Sequence, residues 1–199
     1  MSRYGTFGSP NKMIWEYFDS LREMVCNVQN ASDDRNIQRK VLPCVFMGIA
    51  IVETFLNTYF RVLCEKASCS GCREQTLKEI DGRTSLDRKI KIWPKRFFNK
   101  EIDFSQGIGE RFMNLKNVRN KLMHFQSSYN TIDLPGAQIH GMVDISSYEA
   151  LDKNVALESL TVAEEIIEEI FRLEGIGLDE IKHAMHSWTG KMTSEALNG

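Results

Sequence analysis

The stretch from Val41 to Leu63, VLPCVFMGIAIVETFLNTYFRVL, limits what this chain can fold into more than any other part of it. Its charge-free portion, Val41 to Val52, is about a dozen residues long, whereas a membrane-spanning helix needs roughly 20. We therefore expect a long helix over about 35–66, buried in a core, with Pro43 marking either a kink or the true start. Glu53 and Asn57 lie four residues apart in this apolar helix and need partners, because an unpaired buried polar group is costly.

Six further segments show helical periodicity or capping signals: 10–28, 75–80, 86–93, 108–125, 154–173 and 178–188. Pro94 should end the segment over 86–93, since proline disrupts a helix interior. Asn154 should cap the segment over 154–173. The stretch QIHGMVDIS (138–146) alternates apolar and polar residues, so a small hairpin is predicted there.

Strand signals are otherwise nearly absent, which predicts an all-α fold, a bundle of four to five main helices. At 199 residues the chain suits a single domain. We expect that domain over 10–188, with an inserted segment at about 67–107 and an irregular loop at about 126–153. The N-terminal residues 1–9 are predicted to be disordered, and 189–199 to form a flexible tail.

Composition indicates the compartment. The first residues, MSRYGTFGSPNK, are polar and glycine-rich, unlike a secretion signal. The five cysteines are an odd number, which together with that start favours a reducing cytosol, so a cytoplasmic protein with no membrane contact is expected. The net charge of −2 does not make the whole molecule a polyanion binder.

Charge is nevertheless segregated along the chain. Residues 83–121 hold eleven basic and four acidic side chains, a net charge of +7, and residues 144–180 hold two and eleven, a net charge of −9. A basic segment interleaved with aromatic rings can hold phosphates and stack bases. The candidates for RNA binding are Lys91, Trp93, Lys95, Arg96, Lys116 and Lys121. The alternative is that solvated helix faces simply alternate in sign.

The stretch RNKLMHF (119–125) carries the chemistry. Asn120 and His124 share a helix face, whereas Arg119 lies about 140° from His124 on the wheel. The three fit one pocket if the helix ends near His124, as the following QSSYN suggests, or if a second chain completes the pocket. Arg119 is the natural partner for the Glu53 carboxylate, because its fork geometry suits a carboxylate. The alternative is a buried polar network that fixes helix register.

Such a cluster can cleave RNA without a metal. Histidine exchanges protons near neutral pH, an arginine stabilises the extra charge of a phosphorane-like transition state, and Asn120 can orient either group. RNA supplies its own nucleophile, the 2′-hydroxyl. The sequence contains no P-loop, no G-x-S-x-G and no DxD-type acidic cluster, which points away from an NTPase, a serine hydrolase and a metal nuclease.

The segment RNKLMH resembles the R-x4–6-H motif of the HEPN superfamily, and AIVETFLNTYF (50–60) is similar to the second-helix signature of many members. The order of helices also matches, over about 10–173. The resemblance implies a helical bundle that forms homodimers, with a composite, cofactor-free ribonuclease site that leaves 2′,3′-cyclic phosphate ends. By position, Arg119 and His124 would be catalytic, Asn120 would assist, and Glu53 and Asn57 would support Arg119.

The same resemblance implies a biological setting and an alternative. Members often act in defence or as toxins, so an antitoxin or a nucleotidyltransferase-type partner is expected besides RNA. Other members are catalytically silent binding modules. The acidic stretch AEEIIEEIF (163–171) would suit docking to a partner protein in that case.

Cys64, Cys69 and Cys72 form a C-x4-C-x2-C pattern that contains CSGC. This spacing is compatible with an iron–sulfur site, a zinc knuckle or a redox pair, although a fourth nearby ligand is missing. The alternative is a helix end followed by a loop, and no metal is expected in the ribonuclease site itself.

Overall fold

The computed structural model describes residues 8–31, 36–66, 69–124, 132–139 and 144–191. Within these ranges the chain forms eight helices and one short hairpin, which confirms the all-α class. The elements, in chain order, are α1 (Lys12–Gln29), α2 (Ile37–Lys66), α3 (Ser70–Asp81), α4 (Leu86–Phe98), α5 (Gly107–Met123), β1 (Ile132–Leu134), β2 (Ala137–Ile139), α6 (Ser146–Glu149), α7 (Lys153–Glu174) and α8 (Leu178–Thr189).

Four helices of 17 to 30 residues, α1, α2, α5 and α7, form the body of the bundle. The predicted insertion holds α3 and α4, and the predicted irregular loop holds the hairpin and α6. The antiparallel hairpin pairs Ile132 with Ile139, mostly ahead of the predicted stretch. Residues 1–7 and 192–199 lie outside the described residues, but the predicted tail begins too early, since buried Thr189 still belongs to α8.

Helix α2 is the centre of the core. It packs against α1, α3, α4, α5 and α7, and buried apolar side chains of α1, α2, α4, α5, α7 and α8 form one cluster. By length and composition, α2 is long and apolar enough to cross a membrane, which the shorter charge-free run had not indicated. Half of its most apolar window is buried against the neighbouring helices, as in the core helix of a bundle.

Two predicted boundaries are wrong. Helix α4 continues through Pro94 to Phe98 and ends at Asn99, which adopts the left-handed conformation with φ 54°. Proline removes one backbone donor, but Pro94 is buried and the rings of Phe97 and Phe98 pack on Phe60, so tertiary contacts hold the last turn. The cap of α7 is Asp152, whose side chain accepts a hydrogen bond from the Val155 N–H at 2.9 Å, rather than Asn154.

Helices α2 and α7 come into close backbone contact at Gly48. A Cβ added there would lie 2.7 Å from the backbone oxygen of Ser159, which is closer than real Cβ contacts come. Ser159 is itself fully buried, and its hydroxyl donates to the carbonyl of Val155 at 2.7 Å. Gly48 is therefore required for the contact between the two helices, because any side chain would push them apart.

We expect Gly48→Ala to lower the free energy of unfolding by about 1–3 kcal/mol, because a methyl group overpacks this contact. Urea denaturation measures the loss. Gly71→Ala is the matched control, since a Cβ at Gly71, also in a helix, meets nothing within 4 Å, and no loss is expected. Equal stability of the two variants would contradict the tight α2–α7 contact.

Candidate functional site

Helix α5 ends where the motif predicts. Its last residue is Met123, and His124 leaves the helix with φ −112° and ψ 65° while its N–H donates to the Asn120 carbonyl at 2.9 Å. The His124 side chain is exposed. In a continuous helix the side chain of His124 would point about 140° away from that of Arg119. Because the helix ends at Met123, this angle does not apply to the His124 ring.

A groove of about 300 Å³ lies beside the motif. Helix α2 supplies Ile49 and Glu53, the first turn of α4 supplies Ser85, Leu86 and Asp87, and α5 supplies the rest of the lining, which is Lys116, Arg119 and Asn120. The first N–H groups of a helix have no intrahelical acceptor and carry partial positive charge. The groove therefore combines a helix N-terminus with two cationic side chains.

Arg119 does not pair with Glu53, contrary to the prediction. Its Nη1 donates to Oδ1 of Asn120 at 3.0 Å, while Glu53 accepts from Nζ of Lys89 at 2.6 Å. Only 6% of the Lys89 side chain is exposed, so Lys89 has the stronger need for a carboxylate. Lys89 could have been suspected from sequence, because it lies on the same apolar stripe of α4 as Trp93.

A second ion pair crosses the groove, between Lys116 and Asp87. Lys116 is buried, so its charge is committed to that carboxylate. Glu53 and Asp87 thus neutralise Lys89 and Lys116. Among the described side chains that line the groove, Arg119 is the cation whose hydrogen-bond partner is a neutral amide. The groove consequently keeps one positive charge, that of Arg119, with no carboxylate partner among the described residues.

The predicted site residues are brought together only in part. Glu53, Arg119 and Asn120 share the groove, whereas Asn57 and His124 are outside its lining. Asn57 is half-buried one turn after Glu53, and its Oδ1 is buried with no hydrogen-bond partner among the described residues. Buried polar atoms of this kind are uncommon in folded proteins.

Three of the six candidate RNA-binding side chains are engaged within the fold. Trp93 is fully buried and has no free face on which a base could stack, while Arg96 and Lys116 are committed to internal carboxylates. Lys91, Lys95 and Lys121 are exposed. Of these, Lys91 lies 5.4 Å from the centre of the Phe104 ring and Lys95 pairs with the exposed Glu101.

The side chains of Trp93 and Arg96 are both bonded to the carboxylate of Glu79 on α3. Its carboxylate accepts from Arg96 at 3.0 and 3.1 Å, from Nε1 of Trp93 at 2.7 Å and from Arg88 at 3.0 Å. Burial by itself would raise the pKa of Glu79, but hydrogen bonds from Arg96, Trp93 and Arg88 outweigh it and hold the pKa at about 2. These hydrogen bonds connect α3 to α4. Arg88 and Arg96 of the basic segment are therefore already paired with a carboxylate.

The acidic helix α7 is also paired within the chain. Arg111 donates to both oxygens of Glu158 at 2.7 and 2.8 Å and also bonds Glu165, and these contacts raise the pKa of Arg111. Glu164 accepts from Arg22, and Glu168 accepts from Arg172. The opposite charges of the basic and acidic segments therefore partly meet inside the fold, across α5 and α7.

The cysteine cluster is a bonded pair and one free thiol. Cys69 and Cys72 form a disulfide, while Cys64 is buried. The part of the chain that the structure describes holds no group of three or more His, Cys, Asp or Glu residues placed to bind a metal. The two sulfurs that a metal site would have needed are bonded to each other, so the redox interpretation of CSGC is the one that fits.

Comparisons with protein-family models, with curated proteins and with solved structures found no match. The resemblance to the HEPN superfamily therefore rests on the motif over 119–124, on the helix over 50–60 and on the order of helices.

We expect the stability of the protein to depend on Glu79 in acid. The depressed pKa means that this carboxylate stabilises the fold fully above about pH 5, and that the contribution, about 3 kcal/mol, is lost as the pH falls towards 2. Denaturation measured from pH 7 to 3 should show that Glu79→Gln is less stable than wild type at pH 7 and loses less stability on acidification. Glu101→Gln, in an exposed pair, is the control with no expected effect. Identical pH profiles for wild type and Glu79→Gln would contradict this role.

Proposed function

We propose that this chain is a metal-independent endoribonuclease of the HEPN type, acting on RNA as a homodimer in the cytoplasm, in a defence or toxin–antitoxin setting. The observation that carries the proposal is the state of Arg119. Its guanidinium lines a groove beside a helix N-terminus, bonded to the neutral Asn120 amide, with the exposed His124 one helical turn further along the chain. An arginine placed this way has charge to offer to a phosphate.

The chemistry follows from these groups. The 2′-oxygen attacks the adjacent phosphorus, the bond from phosphorus to the 5′-oxygen breaks, and the products are a 2′,3′-cyclic phosphate and a 5′-hydroxyl. His124 takes the 2′-hydroxyl proton or gives a proton to the leaving oxygen. Arg119 stabilises the negative charge that develops on the phosphoryl oxygens, and Asn120 holds the guanidinium in place through its Oδ1.

A second chain would complete the site. The resemblance implies two motifs facing each other across a dimer, and His124, which does not line the groove of its own chain, fits a role in the partner's site. An antitoxin or nucleotidyltransferase-type partner belongs to the same proposal.

The silent binding module is the less favoured function. It would be supported by Arg119 locked to Glu53 with His124 sealed from solvent in the dimer, and by an acidic face on α7 free for a partner. Instead Glu53 holds Lys89, and carboxylates of α7 accept from Arg22, Arg111 and Arg172.

We expect cleavage of RNA in the presence of EDTA, with 2′,3′-cyclic phosphate ends. His124→Ala and Arg119→Ala should each lower the rate by about a hundredfold or more, because one removes proton transfer and the other charge stabilisation. His183→Ala and Arg172→Ala, exposed residues on α8 and α7, are matched controls that should retain wild-type rates. Intact RNA with wild type, or cleavage that EDTA abolishes, would contradict the proposed mechanism.

We further expect the two inactive variants to complement each other. If each site takes Arg119 from one chain and His124 from the other, mixing and refolding Arg119→Ala with His124→Ala creates dimers that hold one intact site. Random pairing makes half of the dimers mixed, so activity should recover to about a quarter of wild type. No recovery, with mixed dimers confirmed by mass spectrometry, would place both residues of a site in the same chain.

A further inference from the structure

The disulfide at the start of α3 is a feature that the ribonuclease proposal does not use. Cys69 is the N-cap residue of this 12-residue helix, and its sulfur is bonded to that of Cys72, three residues later. The other three cysteines, Cys26, Cys44 and Cys64, are free. A bonded pair in a chain whose composition favours a reducing compartment is typical of a transient, catalytic or redox-sensing disulfide rather than a structural one.

The two bonded sulfurs have unequal surroundings. Cys69 is exposed and Cys72 is half-buried, so a reagent from solvent reaches Cys69 first. Gly71 leaves the approach open, because a Cβ built there meets nothing within 4 Å. The Cys72 N–H lies 3.3 Å from Sγ of Cys69, and a backbone donor at a helix start favours the thiolate of the residue that it contacts. Cys69 is thus the nucleophile and Cys72 the resolving thiol.

The remaining cysteines are placed to stay out of this chemistry. Cys64 is 1% exposed, and its sulfur lies 3.9 Å from the Arg73 carbonyl under the first turns of α3. Burial raises the pKa of the Cys64 thiol, and it raises that of Cys44 to about 11, so both remain protonated and unreactive. Cys26 is exposed, but it lies in the last turn of α1 and is a free cysteine, with no bonded partner that could resolve a mixed disulfide.

We propose that Cys69 and Cys72 form a reversible thiol–disulfide exchange site whose substrate is a low-molecular-weight disulfide. In the reduced protein the Cys69 thiolate attacks one sulfur of that disulfide, forms a mixed disulfide and releases one thiolate. Cys72, after losing its proton to solvent, attacks Sγ of Cys69, closes the internal disulfide and releases the second thiolate. The protein dithiol is oxidised by two electrons, and the small disulfide is reduced to two thiols.

The test uses the full chain, first reduced and freed of reductant, with glutathione disulfide as the probe. Samples are quenched with acid at successive times, free thiols are labelled with a maleimide, and peptides are mapped by mass spectrometry. Wild type should lose the thiols of Cys69 and Cys72 together, and excess reduced glutathione should restore them. Cys72→Ser should accumulate one glutathione adduct at Cys69. In Cys69→Ser the adduct at Cys72 should form at least about tenfold more slowly.

Cys26 in the same samples is the internal control, because it is an exposed thiol of the same protein. The proposal requires Cys69 to react at least about tenfold faster than Cys26. Equal rates, or a wild-type disulfide that reduced glutathione leaves intact, would overturn it. Cys64 serves as the marker of folding, since labelling of this buried thiol reports disruption beneath α3. If Cys72→Ser shows such labelling, the comparison of Cys69 with Cys26 in wild type decides the question alone.

Discussion

The close approach of α2 and α7 at Gly48 is the constraint on which the rest of the structure depends. With no side chain at this point, the two longest helices touch along their backbones, and the apolar residues on either side close into one core. Helices α1, α4 and α5 then pack around α2. The rotation of α2 that buries its apolar residues also turns Glu53 towards α4 and α5, so the polar groove is a consequence of how the core is packed.

Within that frame, the cost of burying charge decides which residues are free to react. Lys89 and Lys116 lie on buried faces, where an unpaired ammonium would be expensive, and each takes the nearest carboxylate. Arg119 is half-buried and can accept a neutral partner in Asn120. The two lysines thereby keep Glu53 and Asp87 from neutralising the arginine. A pairing of Glu53 with Arg119 would have left the buried Lys89 without its carboxylate and would have neutralised the guanidinium.

The extent to which sequence predicts this structure depends on the range of the interaction. The all-α class, the long helix that carries Glu53 and the end of α5 at His124 follow from local patterns of apolar spacing and turn residues, and all three are confirmed. The partner of Glu53 and the burial of Trp93 depend on where α4 docks, which no local pattern encodes. The helix end predicted from Pro94 is wrong because a proline indicates only that one backbone donor is missing. It gives no information on the ring contacts that hold the last turn of α4. The CSGC spacing fits a zinc knuckle and a redox pair equally well, and only the joined sulfurs separate them.

The segregation of charge along the chain has a different meaning in the folded molecule. A segment of net charge +7 suggests a phosphate-binding face, yet Arg88, Arg96 and Arg111 are bonded to glutamates of α3 and α7, and the buried lysines are paired as well. These ion pairs therefore stabilise the packing of α4 and α5 on their neighbouring helices, and the paired charges do not contribute to a basic surface. Six cations of this segment remain exposed, Arg83, Arg88, Lys91, Lys95, Lys100 and Lys121, and two of them, Arg88 and Lys95, are paired with glutamates. Under the proposed function the reacting phosphate would bind in the groove that Arg119 lines, so RNA would be selected by the shape of an accessible single strand.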